Sequence, residues 1–552
     1  MRSESKRSFR VGVFAVPWLA LVTMLAVSLV GADILLRGLD FTTSFILDNF
    51  GWLFNWNTFI AVILIVYLAF SPLGSKKVGG DLARPVMKFR SLVWITLCTT
   101  IAAGILFWAC AEPLYHLHQP PAQAGGAENS PAAMLFAMKA MFLEWTWSPY
   151  ALYTVATVSF AFAFHNMRLP HSLSSGLVPI FGEGVLRFSG VIDAVCLTAL
   201  GLGMAASLGT GALSIAGGIE NQFGIESGPV SWAIIIFAIV LCFVISSVSG
   251  VMRGIRKLSE LNMKVYLVIF AFVLIFGPTA YIFSMGTESL GAFFADFPKM
   301  SLAMGTAHGE DWNKTWPIFY WCNWLAWTPI MATFLASIAK GFTFRRLIVA
   351  NFILPSLFSS VWMAIFSSSA IYFDKNGVNL WEAMQDMGPE SVVYGIFEQM
   401  PLAVIVIPVY LFIVFISFVT ASDSNTTAVA DICMPTYRKT PASKHLLKVV
   451  WGATVGAVTW IVISFGGIDG IKMASNLGGF PNLFLFIGLG SGVAYVSRQP
   501  ERFYNYFSGQ RPSLIRDIKY RLSERKQQRE DEEEGKEEGK DEMREVSDSP
   551  AL

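Results

Sequence analysis

The sequence predicts an all-α polytopic membrane protein in which roughly a dozen helices cross a lipid bilayer. Two observations predict this fold class. Of the 552 residues, 54% are hydrophobic and only 14% are charged, far below the charged share of a soluble domain, and the mean hydropathy is +0.54. Apolar runs of about 20 residues, the length that crosses the hydrocarbon core, also recur along almost the whole chain.

The first apolar run extends from Val11 to Ala32. It is too long for a signal peptide, lacks a small-residue cleavage pattern and leads into further runs, so we expect it to stay on the chain. The other runs begin near Trp52, Leu92, Ala133, Val191, Trp232, Val265, Trp316, Val349, Leu402, Val449 and Leu483. Together they predict twelve spans in a membrane domain over residues 11–498, between an N-terminal tail (1–10) and a C-terminal tail (499–552).

Loop charges predict the orientation, because basic residues in short loops stay on the cytoplasmic side. Basic residues precede the first run and fill alternate loops, at Arg2, Lys6, Arg7, Arg10, Lys76, Lys77, Arg84, Lys88, Arg90, Arg253, Arg256, Lys257, Lys340, Arg345, Arg346, Arg438, Lys439 and Lys444. The opposite loops hold mostly acids, such as Glu128, Glu310 and Glu382. We therefore expect a multi-pass protein of the inner (plasma) membrane with an even number of spans and both termini in the cytoplasm.

The remaining chemistry argues against an enzyme. The six cysteines lie in or beside apolar runs without metal-ligand spacing, so neither disulfides nor zinc are expected. No Gly-rich phosphate loop, His-Glu-x-x-His run or nucleophile elbow stands out, and the six histidines are scattered. The net charge of +1 gives no sign of a nucleic-acid partner. We expect no catalysis and no organic cofactor.

The C-terminal tail begins with a basic amphipathic segment over residues 511–529. Its apolar face carries Leu514, Ile515, Ile518 and Leu522, and its basic residues are Arg516, Lys519, Arg521, Arg525, Lys526 and Arg529. Anionic lipid headgroups would contribute about 1 kcal/mol for each basic residue near the surface. The acidic run over residues 530–538 could neutralise the segment instead. A lipid-binding helix and a solvated tail therefore stay open as alternatives.

Two segments are unusually dense in aromatic residues, WTWSPYALY at 145–153 and WPIFYWCNWLAW at 316–327. A single Trp near a span end is usually an interfacial residue. In the second segment, however, Tyr320, Trp324 and Trp327 recur at four- and three-residue spacings, so the stripe must continue into the span. Aromatic faces attract a trimethylammonium or sulfonium head by about 2 kcal/mol when desolvated. The pattern predicts a site for such a cation.

Residues 316–346, reading WPIFYWCNWLAWTPIMATFLASIAKGFTFRR, closely resemble the signature of betaine/choline/carnitine transporters. The resemblance extends to FWACAEPL at 107–114, SSVSGVMRGIRKLS at 246–259 and FVTASDSNT at 418–426. It implies a leucine-transporter-like fold of twelve helices, in which two extra helices precede two inverted five-helix repeats, and it implies a homotrimer. The substrate would lie near the middle of the bilayer, between the repeats.

By position, the resemblance implies an aromatic box of Trp145, Tyr150, Tyr153 and Trp324. Tyr150 stands where many members of the family have Trp, and it keeps a π face. The substrate-binding residues would further include Phe107, in the FWACAEPL motif, and Trp327, which would line the path. Asn323 replaces a second Trp that is common in the family, and its amide could bind a substrate carboxylate or satisfy a backbone group.

Gly104 discriminates between substrates in the family. Choline-carrying members often have Asp at this position, where a carboxylate balances the net positive charge of the substrate. A zwitterion brings its own negative group, so Gly104 favours a betaine-like zwitterion. The alternative is that Gly104 only permits close packing or an unwound turn.

The coupling ion also follows from the resemblance. Sodium-independent exchangers of the family carry Arg where Met263 aligns, so we expect ion-coupled symport. One sodium site of the symporters corresponds to backbone groups and a hydroxyl at Cys98, Ile101, Ser417 and Thr420, although Ala421 has lost the next hydroxyl. At a second sodium site of the symporters, two Thr and an aromatic residue of the family are replaced here by Leu200, Met204 and Ile330. We therefore expect this second site to be absent. Because backbone carbonyls and one hydroxyl could still hold a hard cation, Na⁺ is the expected coupling ion, and a proton is the alternative.

Four acids lie in or near the apolar runs: Glu112, Glu144, Asp193 and Asp423. Intramembrane acids are functional by default. We interpret these four instead as solvated or helix-capping groups near the headgroups, and we assign no proton relay.

The sequence therefore predicts secondary active uptake of a zwitterionic compatible solute, with glycine betaine as the leading substrate. Dimethylsulfoniopropionate is the runner-up, because an aromatic box binds sulfonium and ammonium heads alike. Carnitine and choline follow. The alternative from another class is a membrane sensor that binds the same solute without moving it.

Overall fold

The computed structural model describes residues 9–100, 104–249, 252–434 and 441–504, and within them it contains helices and no strand. The predicted lipid-binding segment, the acidic run and Ile101 lie outside the described residues. The α-helices are α1 (Val11–Val30), α2 (Ala32–Phe70), α3 (Pro72–Ser75), α4 (Phe89–Thr100), α5 (Gly104–His118), α6 (Pro131–Phe142), α7 (Ser148–Ala161), α8 (Val178–Phe181), α9 (Ser189–Phe223), α10 (Pro229–Ser249), α11 (Met252–Phe276), α12 (Thr279–Leu302), α13 (Phe319–Ile338), α14 (Phe344–Ile348), α15 (Leu354–Phe373), α16 (Leu380–Met387), α17 (Ser391–Glu398), α18 (Ala403–Cys433), α19 (Pro441–Val496) and α20 (Glu501–Tyr504).

Several of these helices have the length and composition of membrane spans, as the sequence predicts. In the described residues, six stretches meet this test: Val11–Val30, Ala32–Phe70, Glu183–Phe223, Phe344–Val378, Ala403–Ala430 and His445–Val496. A pair bent by 103°, Leu261–Phe276 with Thr279–Leu302, makes a seventh when it counts as one span.

The predicted apolar runs do not correspond one to one with these stretches. The runs near Val449 and Leu483 fall in one stretch, α19, which is kinked where Gly467 adopts φ +53°. The run near Ala133 is divided between α6 and α7 by a π-helical turn, Leu143–Trp147. The polytopic helical fold is confirmed, whereas the count of twelve spans and the inverted repeats stay predictions.

Two of the predicted basic loops, over residues 76–90 and 340–346, lie together at one end of the helix bundle, which we call the basic end. The Val78 N–H donates to the Phe342 carbonyl (2.9 Å), and the Gly341 N–H donates to the Val78 carbonyl (2.9 Å). Lys76 pairs with Glu501, just beyond α19. Two predicted cytoplasmic loops and the start of the C-terminal tail therefore share one end.

The loops that are predicted to lie outside gather at the opposite, acidic end. His118 contacts Asp374 at 2.7 Å and Glu128 at 3.2 Å. The Lys375 ammonium donates to the Asn129 carbonyl (2.8 Å). The separation of the two sets of loops agrees with the predicted alternation, and the assignment of the basic end to the cytoplasm stays a prediction.

The centre of the bundle is formed where α13 packs between α7 and α19. A Cβ at Gly479 would overlap the Cys322 backbone, so glycine is needed for α19 to approach α13 this closely. The Asn482 amide donates to the Leu325 carbonyl (3.0 Å) across the same contact. These contacts fix the position of α13, and with it the position of Trp324.

Candidate functional site

The four rings of the predicted aromatic box lie together in the interior. The centre of the Trp324 ring lies 6.0 Å from that of Trp145, 5.9 Å from that of Tyr150 and 5.2 Å from that of Tyr153. All four side chains are buried. Tyr150 keeps a fixed orientation through a 2.8 Å hydrogen bond with the Ser359 hydroxyl. Such ring faces, shielded from water, can attract a quaternary cation that has no N–H to donate.

A π-helical turn positions Trp145 at the junction of α6 and α7. Pro149 has no N–H, so it cannot make the α-helical hydrogen bond to the Trp145 carbonyl. The wider turn over Leu143–Trp147 accommodates this loss and turns Glu144 and Trp145 into the bundle. Inserted π turns of this kind are frequent at functional sites.

Two carboxylates lie directly behind the box. The Trp145 indole N–H donates to Glu112 Oε2 (3.0 Å), and the Tyr320 hydroxyl donates to the same oxygen. The Trp324 indole N–H donates to the backbone carbonyl of Glu144 (3.2 Å). The orientation of both box tryptophans therefore depends on Glu112 and on the turn that carries Glu144.

The interpretation of the four acids as solvated groups is wrong, because all four side chains are buried. Glu112 and Glu144 are each 0% exposed, because α5 and the π turn carry them into the packed interior. Asp193 and Asp423 are buried as well. They are held in ion pairs with Arg10 (2.8 Å) and Lys448 (3.1 Å), respectively.

His116 and Lys472 complete this polar cluster. His116 follows Glu112 by one turn of α5, and its Nε2 lies 3.5 Å from Glu112 Oε1. The half-buried Lys472 ammonium lies 3.8 Å from the centre of the Trp316 ring. One ligating atom from each of Glu112, His116 and Glu144 lies within 4.8 Å of the others, a spacing that would admit a cation. The Lys472 ammonium already supplies positive charge to these carboxylates, which disfavours a metal ion there.

The other predicted substrate residues take different positions around the box. An added Cβ at Gly104 would meet Trp145 at 3.8 Å and Trp108 at 3.6 Å, so Gly104 borders the box without being required for packing. The centre of the Phe107 ring lies 4.8 Å from that of Trp108, and Phe107 makes no ring contact with the box among the described residues.

Asn323 and Trp327 face α19 and α9. The Asn323 amide oxygen accepts from the Ser475 hydroxyl (3.4 Å), which is a side-chain contact and not the backbone contact of the predicted alternative. The Trp327 indole lies against Gly203 of α9. Among the described residues, Trp327 makes no ring contact with the box, and the Asn323 side chain is directed to Ser475.

The predicted sodium ligands are described only in part. Cys98 is exposed, Ser417 is buried, and Ile101 is not among the described residues. The Thr420 hydroxyl donates to the carbonyls of Ile416 and Ser417 (both 3.0 Å), which leaves its oxygen lone pairs available to a cation. The sodium site stays a prediction.

Sequence reasoning did not assign Glu112, His116, Glu144, Tyr320 or Lys472 to the site. A signal was present, because a Lys in an apolar run is functional by default and Glu112 and His116 have helical i, i+4 spacing. The juxtaposition itself depends on α5, α13, α19 and the π turn, and local sequence patterns do not specify how these pack.

Comparisons with known proteins identify relatives over almost the whole membrane domain. A family model described as "BCCT, betaine/carnitine/choline family transporter" matches residues 12–500. A probable glycine betaine transporter of Desulfitobacterium hafniense (strain Y51) is 29% identical over 445 residues, which cover 80% of this chain and 88% of the relative. Glycine betaine transporter 1 of Vibrio parahaemolyticus is 30% identical over 431 residues, with 77% and 81% covered. The ectoine/hydroxyectoine transporter of Virgibacillus pantothenticus is 27% identical over 452 residues, with 82% and 89% covered.

Proposed function

Because the chain belongs to the betaine/carnitine/choline family of transporters, we propose that it takes up a zwitterionic quaternary ammonium solute by secondary active transport, with glycine betaine as the leading substrate. The observation that carries the proposal is the buried cluster in which Trp324 contacts Trp145, Tyr150 and Tyr153. Three methyl groups on a cationic nitrogen offer no hydrogen bonds, and ring faces bind them without needing any.

The charge beside the box supports a zwitterion over choline. Position 104 carries no carboxylate, and Glu112 is already engaged by the Trp145 and Tyr320 donors. Lys472 also interacts electrostatically with Glu112 and Glu144. A substrate with net positive charge would therefore find no counter-ion at position 104 and none free on Glu112, whereas a betaine brings its own carboxylate. Two of the three relatives described above carry glycine betaine in their names, which supports the same choice.

The proposal includes coupling to a cation gradient in the direction of uptake. Sodium is one coupling ion, held by carbonyls near Cys98, Ile101 and Ser417 and by the Thr420 hydroxyl. The available lone pairs of Thr420 support this site, since hard cations prefer oxygen ligands. A homotrimer in the plasma membrane, and contact of the C-terminal tail with anionic lipids, belong to the same proposal.

Uptake by the purified protein tests the proposal. Labelled glycine betaine is added to proteoliposomes with and without an inward sodium gradient, and dimethylsulfoniopropionate, choline, carnitine and ectoine are added as competitors. We expect accumulation that is inhibited best by zwitterions or the sulfonium compound. Binding without accumulation under any cation gradient would favour the sensor, and failure of glycine betaine to bind would reject it as substrate.

A further inference from the structure

Glu112 and Glu144 form a carboxylate pair inside the membrane domain. Both side chains are buried, and together with His116 they bring ligating atoms within 4.8 Å of one another. Glu112 lies six residues before the end of α5 at His118, or about 9 Å from the acidic end along the helix. Two carboxylates this close and this dry do not both ionise without a compensating charge.

The hydrogen bonds distinguish the two members of the pair. Glu112 accepts from the Trp145 indole (3.0 Å) and from the Tyr320 hydroxyl, so it is stabilised as the ionised member. His116 faces the other oxygen of Glu112. Its Nδ1 accepts from the Trp312 indole (3.1 Å), so the ring proton is on Nε2, which lies 3.5 Å from Glu112 Oε1 without forming a hydrogen bond.

Glu144 has a different environment. Within the part of the chain that the structure describes, no N–H or O–H donor reaches either of its carboxylate oxygens, and the neighbouring acid is Glu112. An ionised carboxylate without donors is costly to bury, whereas a protonated carboxyl is neutral. Glu144 is therefore the member suited to carry a proton.

The charge balance leads to the same assignment. Lys472, on α19, supplies one positive charge to the pair and also interacts with the exposed Asp469. With Glu112 ionised and His116 neutral, Lys472 balances one carboxylate and not two. The cluster is neutral when the pair holds a single proton.

We propose that the Glu112–Glu144 pair binds one proton from the acidic end and releases it at the basic end in each transport cycle, so that proton movement accompanies the solute. On loading, the proton forms an O–H bond with a Glu144 carboxylate oxygen. On release, that bond breaks, the proton passes to water, and Glu144 is left ionised. This inference rests on the proposed transport function and assigns a coupling role to residues beside the box.

The pair is connected to the solute site through two tryptophans. Glu112 orients the Trp145 ring through its indole N–H, and the turn that carries Glu144 accepts from the Trp324 indole. A second negative charge on Glu144 would compete for Lys472 and for the donors of Glu112. Loss of the proton therefore changes the orientation of Trp145 and weakens the box.

The test measures protons and solute in the same vesicles. Wild-type proteoliposomes contain a pH-sensitive dye, and the membrane potential is clamped with potassium and valinomycin. Labelled glycine betaine is added with equal sodium concentrations on both sides of the membrane, with and without a chelator. We expect the lumen to acidify with about one proton per solute, and we expect Glu144→Gln to lower that ratio to near zero at whatever flux remains. Glu390→Gln, which removes a buried carboxyl outside the cluster, should keep the wild-type ratio.

Three results would overturn the inference: wild-type uptake without lumen acidification, a Glu144→Gln ratio equal to that of the wild type, or loss of the proton signal on chelation, which would assign the cluster to a metal ion. Should Glu144→Gln fail to fold, Glu112→Gln replaces it, with the same expected loss of the ratio. The proposed function fails separately, because its failure would abolish wild-type solute exchange, which needs no ion gradient.

Discussion

Trp324 is the residue on which the aromatic box depends, because its ring contacts the other three. Trp324→Ala removes one face from the bound cation and the packing support of its neighbours. We expect the Kd for glycine betaine, measured by titration calorimetry on the purified protein, to rise about 30-fold, equivalent to about 2 kcal/mol. Trp451→Ala is the matched control. Trp451 is also buried, but its ring packs against that of Phe14, with 6.2 Å between the ring centres. An equal loss in both variants would indicate damage to the fold.

Gly104 should determine whether the box prefers a zwitterion or a cation. An added Cβ meets only ordinary contacts with Trp108 and Trp145, so position 104 admits a side chain beside the box. The new carboxylate should repel the carboxylate of glycine betaine and attract choline, shifting the ratio of their affinities toward choline by about 10-fold, or about 1.4 kcal/mol. Competition binding with both solutes measures the shift. Gly104→Ala adds the Cβ without the charge, and the same selectivity in both variants would contradict the account.

The sequence predicts the residues of the box better than those behind it. The four rings follow from the resemblance to the transporter family, and the structure brings them together. The burial of Glu112 and Glu144 could not be predicted, because it depends on Trp312, Tyr320 and Lys472 from other elements. For Gly104, the sequence could not decide whether the glycine is needed for close packing. The distances from an added Cβ to Trp108 and Trp145 decide this.

At the scale of elements, the close contact between α13 and α19 supports the box. Gly479→Ala would place a Cβ on the Cys322 backbone, so the helices must separate and carry Trp324 with them. We expect a loss of about 1–3 kcal/mol in stability, seen as a lower melting temperature in detergent, together with weaker glycine betaine binding. Gly490→Ala on the same helix is the control, because its Cβ would meet Leu64 at 3.5 Å and Val155 at 3.7 Å. Equal melting temperatures for the two variants would contradict this.

The buried carboxyl of Glu390 should make the stability of the protein depend on pH. Glu390 lies between the short helices α16 and α17, outside the membrane-length stretches, and burial raises the pKa of its carboxyl to about 7. The folded state therefore holds this proton more tightly than the unfolded state does, so the contribution of Glu390 to stability is fully present below about pH 4.3 and is lost as the pH rises to about 7. Glu390→Gln should remove this decline, giving a higher melting temperature than the wild type at pH 8 and a similar one at pH 5.

The control for this prediction is Glu382→Gln, which removes an exposed carboxylate from α16. It should leave the pH dependence of melting unchanged. Parallel melting curves for the wild type and Glu390→Gln from pH 5 to pH 8 would show that the buried carboxyl does not govern stability.

The elements themselves could be predicted as apolar runs, but their interruptions could not. Hydrophobic periodicity does not distinguish an α-helical turn from the π turn at Leu143–Trp147. Pro149 was the available signal, because it removes one backbone donor. The kink at Gly467 lies between the two predicted runs, next to Asp469 and Lys472, and helix continues on both sides of it, so the two runs occupy one helical stretch.

At the scale of the whole molecule, composition was sufficient for the fold class, since a chain this apolar must bury its helices in lipid or in one another. The alternation of basic and acidic loops along the sequence likewise predicted that the two kinds of loop would lie at different ends of the bundle. The inverted repeats, the homotrimer and the lipid contacts of the tail come only from the resemblance or from composition, and they stay predictions.

The central claim is that the box carries a quaternary ammonium zwitterion across the membrane, and solute counterflow tests it most directly. Proteoliposomes are preloaded with unlabelled glycine betaine and diluted into labelled glycine betaine, with no ion gradient. We predict that label accumulates transiently above its equilibrium level with the wild-type protein and not with Trp324→Ala. Entry of label without this overshoot, or an equal overshoot in the variant, would contradict the account.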